Sequence, residues 1–177
     1  YGNRPKGLLQ FHKYNDECRT AVAEHLIEGA LYACANDTVR IHFTVSPEHI
    51  SAFNNLLTNI IPIYEQKFGI KYDISMSVQK PQTDTIAVNM DNTPFRNDDG
   101  TLLFRPAGHG ALIENLNDIN ADIIFIKNID NIDLAAKFLS KQNNFSIKTC
   151  PNLILCLLFS NSTHLESYLP IKALGKL

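Results

Sequence analysis

Val22, Leu26, Gly29 and Ala33 recur at helical spacing, and Thr20 stands where a side-chain cap would open that helix, which the pattern carries to about Tyr32. A short strand is expected before it, at residues 8–12. Residues 39–45 are rich in β-branched and aromatic side chains, and Ser46-Pro47 follows as a helix cap with proline at the first helical position. Ile50, Phe53, Leu56, Leu57, Ile60 and Tyr64 then repeat with a helical period. Pro62 is expected to kink or split this second helix and Gly69 to end it. From about Ile70 onward, Tyr72, Ile74, Met76 and Val78 alternate with Asp73, Ser75 and Ser77, as in a half-exposed strand.

Two further strands are expected at residues 85–90 and 101–104, joined by a polar connection containing Asp98-Asp99-Gly100, which suggests a hairpin or ribbon. Arg105-Pro106-Ala107-Gly108-His109-Gly110 reads as a loop and residues 111–116 as a short helix. Residues 122–127 form a nearly continuous apolar strand of the kind buried on both faces, ending in Asn128-Ile129-Asp130-Asn131. Alternating strands and helices predict an α/β domain with a mainly parallel sheet, whose ligands lie beyond the carboxyl ends of the strands. Ser46, Gln79 and Asp130 stand near such ends. After Asn131 the composition shifts to Asn, Ser, Lys, Leu and Ile, and the rhythm fades. A helix at 134–141 and a strand at 153–159 are expected there, without a role. The chain thus divides into a domain portion, residues 1–131, and a divergent segment, residues 132–177.

Composition narrows the function classes. The 177 residues are 45% hydrophobic and 19% charged, as in a folded domain. A formal net charge of −2 supplies no general field for nucleic acid or an anionic membrane, so any anion is bound locally. Cys18, Cys34, Cys150 and Cys156 include no CxxC pair, and reduced thiols in a cytoplasmic protein are expected. The longest apolar run, residues 153–159, is too short to span a bilayer. The opening residues, Tyr1 onward, read as a loop already under way.

Three short stretches carry candidate chemistry. Lys6, in Pro5-Lys6-Gly7 before a strand, either aims its ammonium at a phosphate or is a solvated surface lysine. Gly108-His109-Gly110, at the mouth of a helix, either lets backbone N–H groups approach an anion or is an ordinary turn; His109 reads as a base, a ligand or neither. Asp130, at the end of a buried strand and followed by Asn131, either holds Mg²⁺ or closes an Asx turn. Gln79 either reads a nucleobase edge or lies at the surface. The six histidines show no zinc-ligand spacing, and no Walker A or GxSxG sequence is present.

In order, Pro5-Lys6-Gly7, Glu24-His25-Leu26 on the Thr20 helix, Gln79, Gly108-His109-Gly110 and Ile129-Asp130-Asn131 resemble the nucleotide-diphospho-sugar transferase superfamily. The similarity is closest to a Bacteroidetes-type bacterial family of unassigned function, over residues 1–131. It rests on Gln79-Lys80-Pro81, Phe104-Arg105-Pro106 and the stretches around Gly108-His109-Gly110 and Asp130-Asn131. More distantly the order is similar to UDP-N-acetylhexosamine and UDP-sugar pyrophosphorylases.

The resemblance implies a three-layer, Rossmann-like fold with a mixed, mainly parallel sheet, incomplete here. It implies that Lys6 contacts nucleotide phosphate and Gln79 reads uracil. Gly108 and Gly110 then lie near base and sugar, and Asp130 holds Mg²⁺ and substrate with Asn131 beside it. His109 and Ala111 depart from the superfamily's Gly-Asn-Gly-Gly. The glycine-rich phosphate loop that precedes the Pro-Lys motif is not in the sequence, and residues beyond Asn131 read as a damaged or out-of-frame gene end. The expected activity is sugar-phosphate nucleotidyl transfer, with little turnover by these 177 residues alone. A nucleotide-sugar-dependent glycosyltransferase and a non-catalytic nucleotide-binding domain are the alternatives.

Overall fold

The computed structural model describes residues 4–15, 17–132, 153–158 and 172–175. The strands are β1 (Gln10–Lys13), β2 (Cys18–Thr20), β3 (Cys34–Ala35), β4 (Thr38–Thr44), β5 (Lys71–Ser77), β6 (Thr85–Ile86), β7 (Phe104–Arg105), β8 (Ile123–Asn128), β9 (Leu153–Leu158) and β10 (Lys172–Gly175). The helices are α1 (Ala21–Tyr32), α2 (Ile50–Phe68) and α3 (Ile113–Asn117). This is a mixed α/β architecture. Strands β8, β9, β4 and β5 lie side by side in that order, all parallel, with β10 antiparallel on the outer side of β8. β3 pairs antiparallel with the start of β4.

The local reasons are plain. Thr20 accepts the Ala23 N–H at 3.2 Å and opens α1 as its sequence predicts. Gly69, at φ 66°, closes α2 in the left-handed conformation that glycine adopts without a Cβ clash. Pro62 does not split α2, contrary to expectation. It lies exposed, so the carbonyl it leaves without a helical partner is on the solvent side, where a missing helical bond costs least. Ser46 and Pro47 open a 3-10 turn, Pro47–His49, that leads into α2.

Val39, Ile41 and Phe43 of β4 and Leu155 and Leu157 of β9 share one core with α1 and α2. Both long helices therefore cover the same face. On the opposite face, Leu112, Ile119 and Ala121 cover Ile124 and Cys156, while the β4–β5 half presents Arg40, His42, Thr44, Asp73, Ser75 and Ser77. β9 sits between β8 and β4, so the segment beyond Asn131, given no role by its pattern, supplies a central strand.

Other expectations shift by a few residues. Lys6–Leu8 is a 3-10 turn and the first strand starts at Gln10. The short helix begins as a 3-10 turn, His109–Leu112, before α3. The strands expected at 85–90 and 101–104 shrink to β6 and β7, because the chain between them folds back twice through the matched turns Asn89-Met90-Asp91-Asn92-Thr93 and Asn97-Asp98-Asp99-Gly100-Thr101. In each turn an aspartate accepts the backbone N–H and the hydroxyl of the closing threonine. Ala87, Phe95 and Leu103 donate backbone bonds round a ring, to Leu103, Ala87 and Phe95 respectively. The helix expected at 134–141 lies outside the described residues.

Candidate functional site

The carboxyl edge of the parallel strands is where the candidate residues gather. Asn128, Leu158, Thr44 and Ser77 are partners across one continuous row of the sheet. Asp130 and Gln79 each follow that row by two residues, at its opposite ends. Three strand spacings separate them, about 14 Å.

At the β8 end, the Lys6 ammonium donates to Asp130 Oδ2 at 2.9 Å, across 124 residues of sequence. Both side chains are partly open to solvent, at 47% and 39%. The pair is held from two sides. The turn that carries Lys6 is closed by Leu8 N–H to Pro5 O at 3.0 Å, and Leu9 O then accepts Ala21 N–H at 3.1 Å, which ties the segment to the start of α1. Tyr14 O–H and His12 Nδ1 meet the buried Glu24 carboxylate of α1 at 2.8 and 3.2 Å, fastening the β1–β2 hairpin to the same helix. Burial and the bond to Glu24 push the Tyr14 phenol up to about 12.

Asp130 is placed by a turn in which Asn131 N–H donates to Asn128 O at 3.0 Å. Beneath the turn lies a buried charged chain. Lys127 Nζ donates to both Glu28 oxygens at 2.9 Å, Glu28 Oε2 also meets His25 Nδ1 at 2.8 Å, and His25 Nε2 donates to the Ile129 carbonyl at 3.0 Å. Burial pushes the Glu28 carboxyl up, but its bonds to His25 and the nearby Lys127 charge outweigh that and hold it below its ordinary value. His25 stands in the Glu24-His25-Leu26 stretch of the resemblance without a role of its own, and Lys127 was given none. The signal was present in the apolar patterning: a lysine inside the continuous apolar strand at β8, and two glutamates four residues apart with a histidine on α1, are buried charges that need partners.

At the β5 end, the Gln79 amide donates to Thr83 Oγ1 at 3.2 Å. Asn115 of α3 donates to Ser77 Oγ at 3.0 Å and Val78 O at 2.7 Å, which fixes the helix that follows Gly108-His109-Gly110 against the end of β5. Asn115 Oδ1 is buried without a hydrogen-bond partner among the described residues, a group that a water or ligand would satisfy. His42 spans Ser75 and Ser77 at 2.8 and 2.9 Å, and burial pushes its imidazole below the ordinary range.

Gly108, His109 and Gly110 are exposed, and a Cβ at either glycine would meet nothing within 4 Å. Their backbone is thus open to approach rather than packed. Among the described residues no hydrogen bond or ion pair links them, or Gln79, to Lys6 and Asp130. The structure brings Lys6 and Asp130 into contact and leaves Gln79 at the far end of the same edge.

The fold and this edge define a mixed α/β domain with a polar, two-ended candidate site. Among the described residues no helix is long and apolar enough to cross a membrane. The family model "Domain of unknown function (DUF4301)" matches residues 1–167, and the chain belongs to that family. The match continues past Asn131, the limit expected from the sequence, which counts against an out-of-frame end at that point. No curated protein and no solved structure matches the chain.

Proposed function

We propose that this domain binds nucleotide phosphates at the Lys6–Asp130 end of the edge and serves Mg²⁺-dependent sugar-phosphate nucleotidyl transfer. In that reaction the phosphate oxygen of a sugar 1-phosphate attacks the α-phosphorus of a nucleoside triphosphate and pyrophosphate departs. The observation that carries the reading is the 2.9 Å contact between an ammonium and a carboxylate 124 residues apart, beyond the end of a buried strand. Exposed on its stem, Lys6 can turn from Asp130 to a phosphate oxygen, and the freed carboxylate then faces the ligand.

The donor set fits Mg²⁺. This ion takes one or two carboxylates together with substrate phosphates and keeps several waters, and Asp130 with the neighbouring Asn131 offers that much. Among the described residues no group of three or more histidine, cysteine, aspartate or glutamate side chains stands ready to cage an ion, so substrate oxygens complete the shell. Mg²⁺ would neutralise charge on the transferring phosphate. In this reading Gln79, Gly108, His109 and Gly110 face the base and sugar, and the roughly 14 Å between the two ends suits an extended nucleotide.

One observation favours a second reading: the Asp130 carboxylate is already neutralised by Lys6, as in a domain that binds nucleotide without turning it over. Incubation with a nucleoside triphosphate, a sugar 1-phosphate and Mg²⁺ separates the possibilities. Pyrophosphate release supports transfer. In a separate incubation with a nucleotide sugar, an acceptor and Mg²⁺, release of nucleoside diphosphate indicates a glycosyltransferase instead. A rise in melting temperature with nucleotide but no product supports the binding domain, since a ligand of the native state alone must stabilise it.

A further inference from the structure

His25 is fully buried on α1, yet its Nε2 reaches across 104 residues of sequence to the backbone oxygen of Ile129, one residue before Asp130. That oxygen can only accept, so Nε2 carries the hydrogen. The peptide joining Ile129 to Asp130 is trans, which sets its N–H opposite its C=O. With the oxygen drawn inward onto His25, the Asp130 N–H is directed away from that buried ring, on the residue whose exposed side chain meets Lys6. That N–H has no partner among the described residues.

We propose that His25, held in place by Glu28 and Lys127, is a positioning residue that fixes the Ile129–Asp130 peptide so that the Asp130 N–H and the Lys6 ammonium together bind an oxyanion of a phosphate ligand. The inference rests on the nucleotide reading for the ligand, but not for the geometry. A backbone donor held from behind adds no mobility of its own and is aimed before the ligand arrives, which is the economy of a preorganised oxyanion site. Lys127 meets both oxygens of Glu28 and Glu28 meets His25, so the imidazole has a fixed ring orientation rather than a free one. The chain of three side chains ties α1 to the end of β8 and leaves nothing exposed except the donor it aims.

The test compares His25→Gln with His25→Asn in the full chain. A glutamine amide reaches the place of Nε2 and keeps the bond to Ile129 O; an asparagine amide stops at the place of Nδ1 and loses it. Amide exchange at Asn131, whose N–H is bonded to Asn128 O in the turn, read by NMR without ligand, is expected to rise about tenfold in the asparagine variant and to stay near wild type in the glutamine variant. Titration with inorganic pyrophosphate is expected to move the Asp130 amide resonance in wild type and the glutamine variant, and to require about tenfold more ligand in the asparagine variant. Equal exchange and equal pyrophosphate affinity in both variants would overturn the positioning role. If wild type does not bind pyrophosphate while the exchange difference appears, the oxyanion assignment and the nucleotide reading fail and the positioning geometry stands.

Discussion

Lys127 Nζ lies 2.9 Å from both carboxylate oxygens of Glu28, and neither residue is more than 5% exposed. This buried pair joins the first long helix to the end of the strand that delivers Asp130. Desolvation makes such a pair weak evidence of net stability, but removing one partner strands the other. Lys127→Met is therefore expected to lower unfolding free energy by about 3 to 5 kcal/mol in urea titration. A change below about 1 kcal/mol would mean that Glu28 is otherwise satisfied.

Lys6 and Asp130 form the opposite case. Their ion pair is partly solvated, so Lys6→Ala should cost no more than about 1 kcal/mol of stability by the same measurement. Any larger effect on ligand binding is then functional rather than structural.

Gly29 packs against β4 so closely that a Cβ would stand 2.7 Å from Val39 Cγ1 and 3.2 Å from Ile41 Cδ1. Alanine is the better helix former by about 1 kcal/mol, but β-branched Val39 is stiff and fully buried. The overlap should win: Gly29→Ala is expected to destabilise by about 1 to 3 kcal/mol, and Val39→Ala added to it should return part of that loss. Simple additivity of the two losses would show that the contact is not the cause.

His42 gives a pH signature. Burial lowers its folded value below the ordinary 6.5, so the unfolded chain binds the proton first as pH falls. The stability it contributes is complete above about 6.5 and is lost progressively as pH falls through the lower folded value. The melting temperature between pH 7.5 and pH 5 should consequently fall more steeply in wild type than in His42→Gln, with every point taken at the same ionic strength. Parallel slopes would remove His42 from the account.

The helices and central strands were legible because their signals are local. Thr20, Gly69 and the alternation through β5 each act within a turn or a strand. The Lys6 and Asp130 motifs were also legible as letters, though only the fold could bring them into contact. Pro62 does not split α2 because exposure makes a missing hydrogen bond cheap, and exposure is a tertiary property. β9 was read as a strand without a role because an apolar run of that length says nothing of its neighbours. The His25–Glu28–Lys127 chain was missed for a related reason: the apolar pattern marks these residues as charges in need of partners but does not say which, and they come together only when α1 packs beside β8.

The most direct measurement is calorimetric titration of Mg²⁺-UTP into wild type, Lys6→Ala and Asp130→Asn. Saturable binding by wild type that weakens about tenfold or more in each variant, with melting temperatures little changed, is the predicted result. No binding by wild type, or equal affinity in all three proteins, would contradict a phosphate site at this pair.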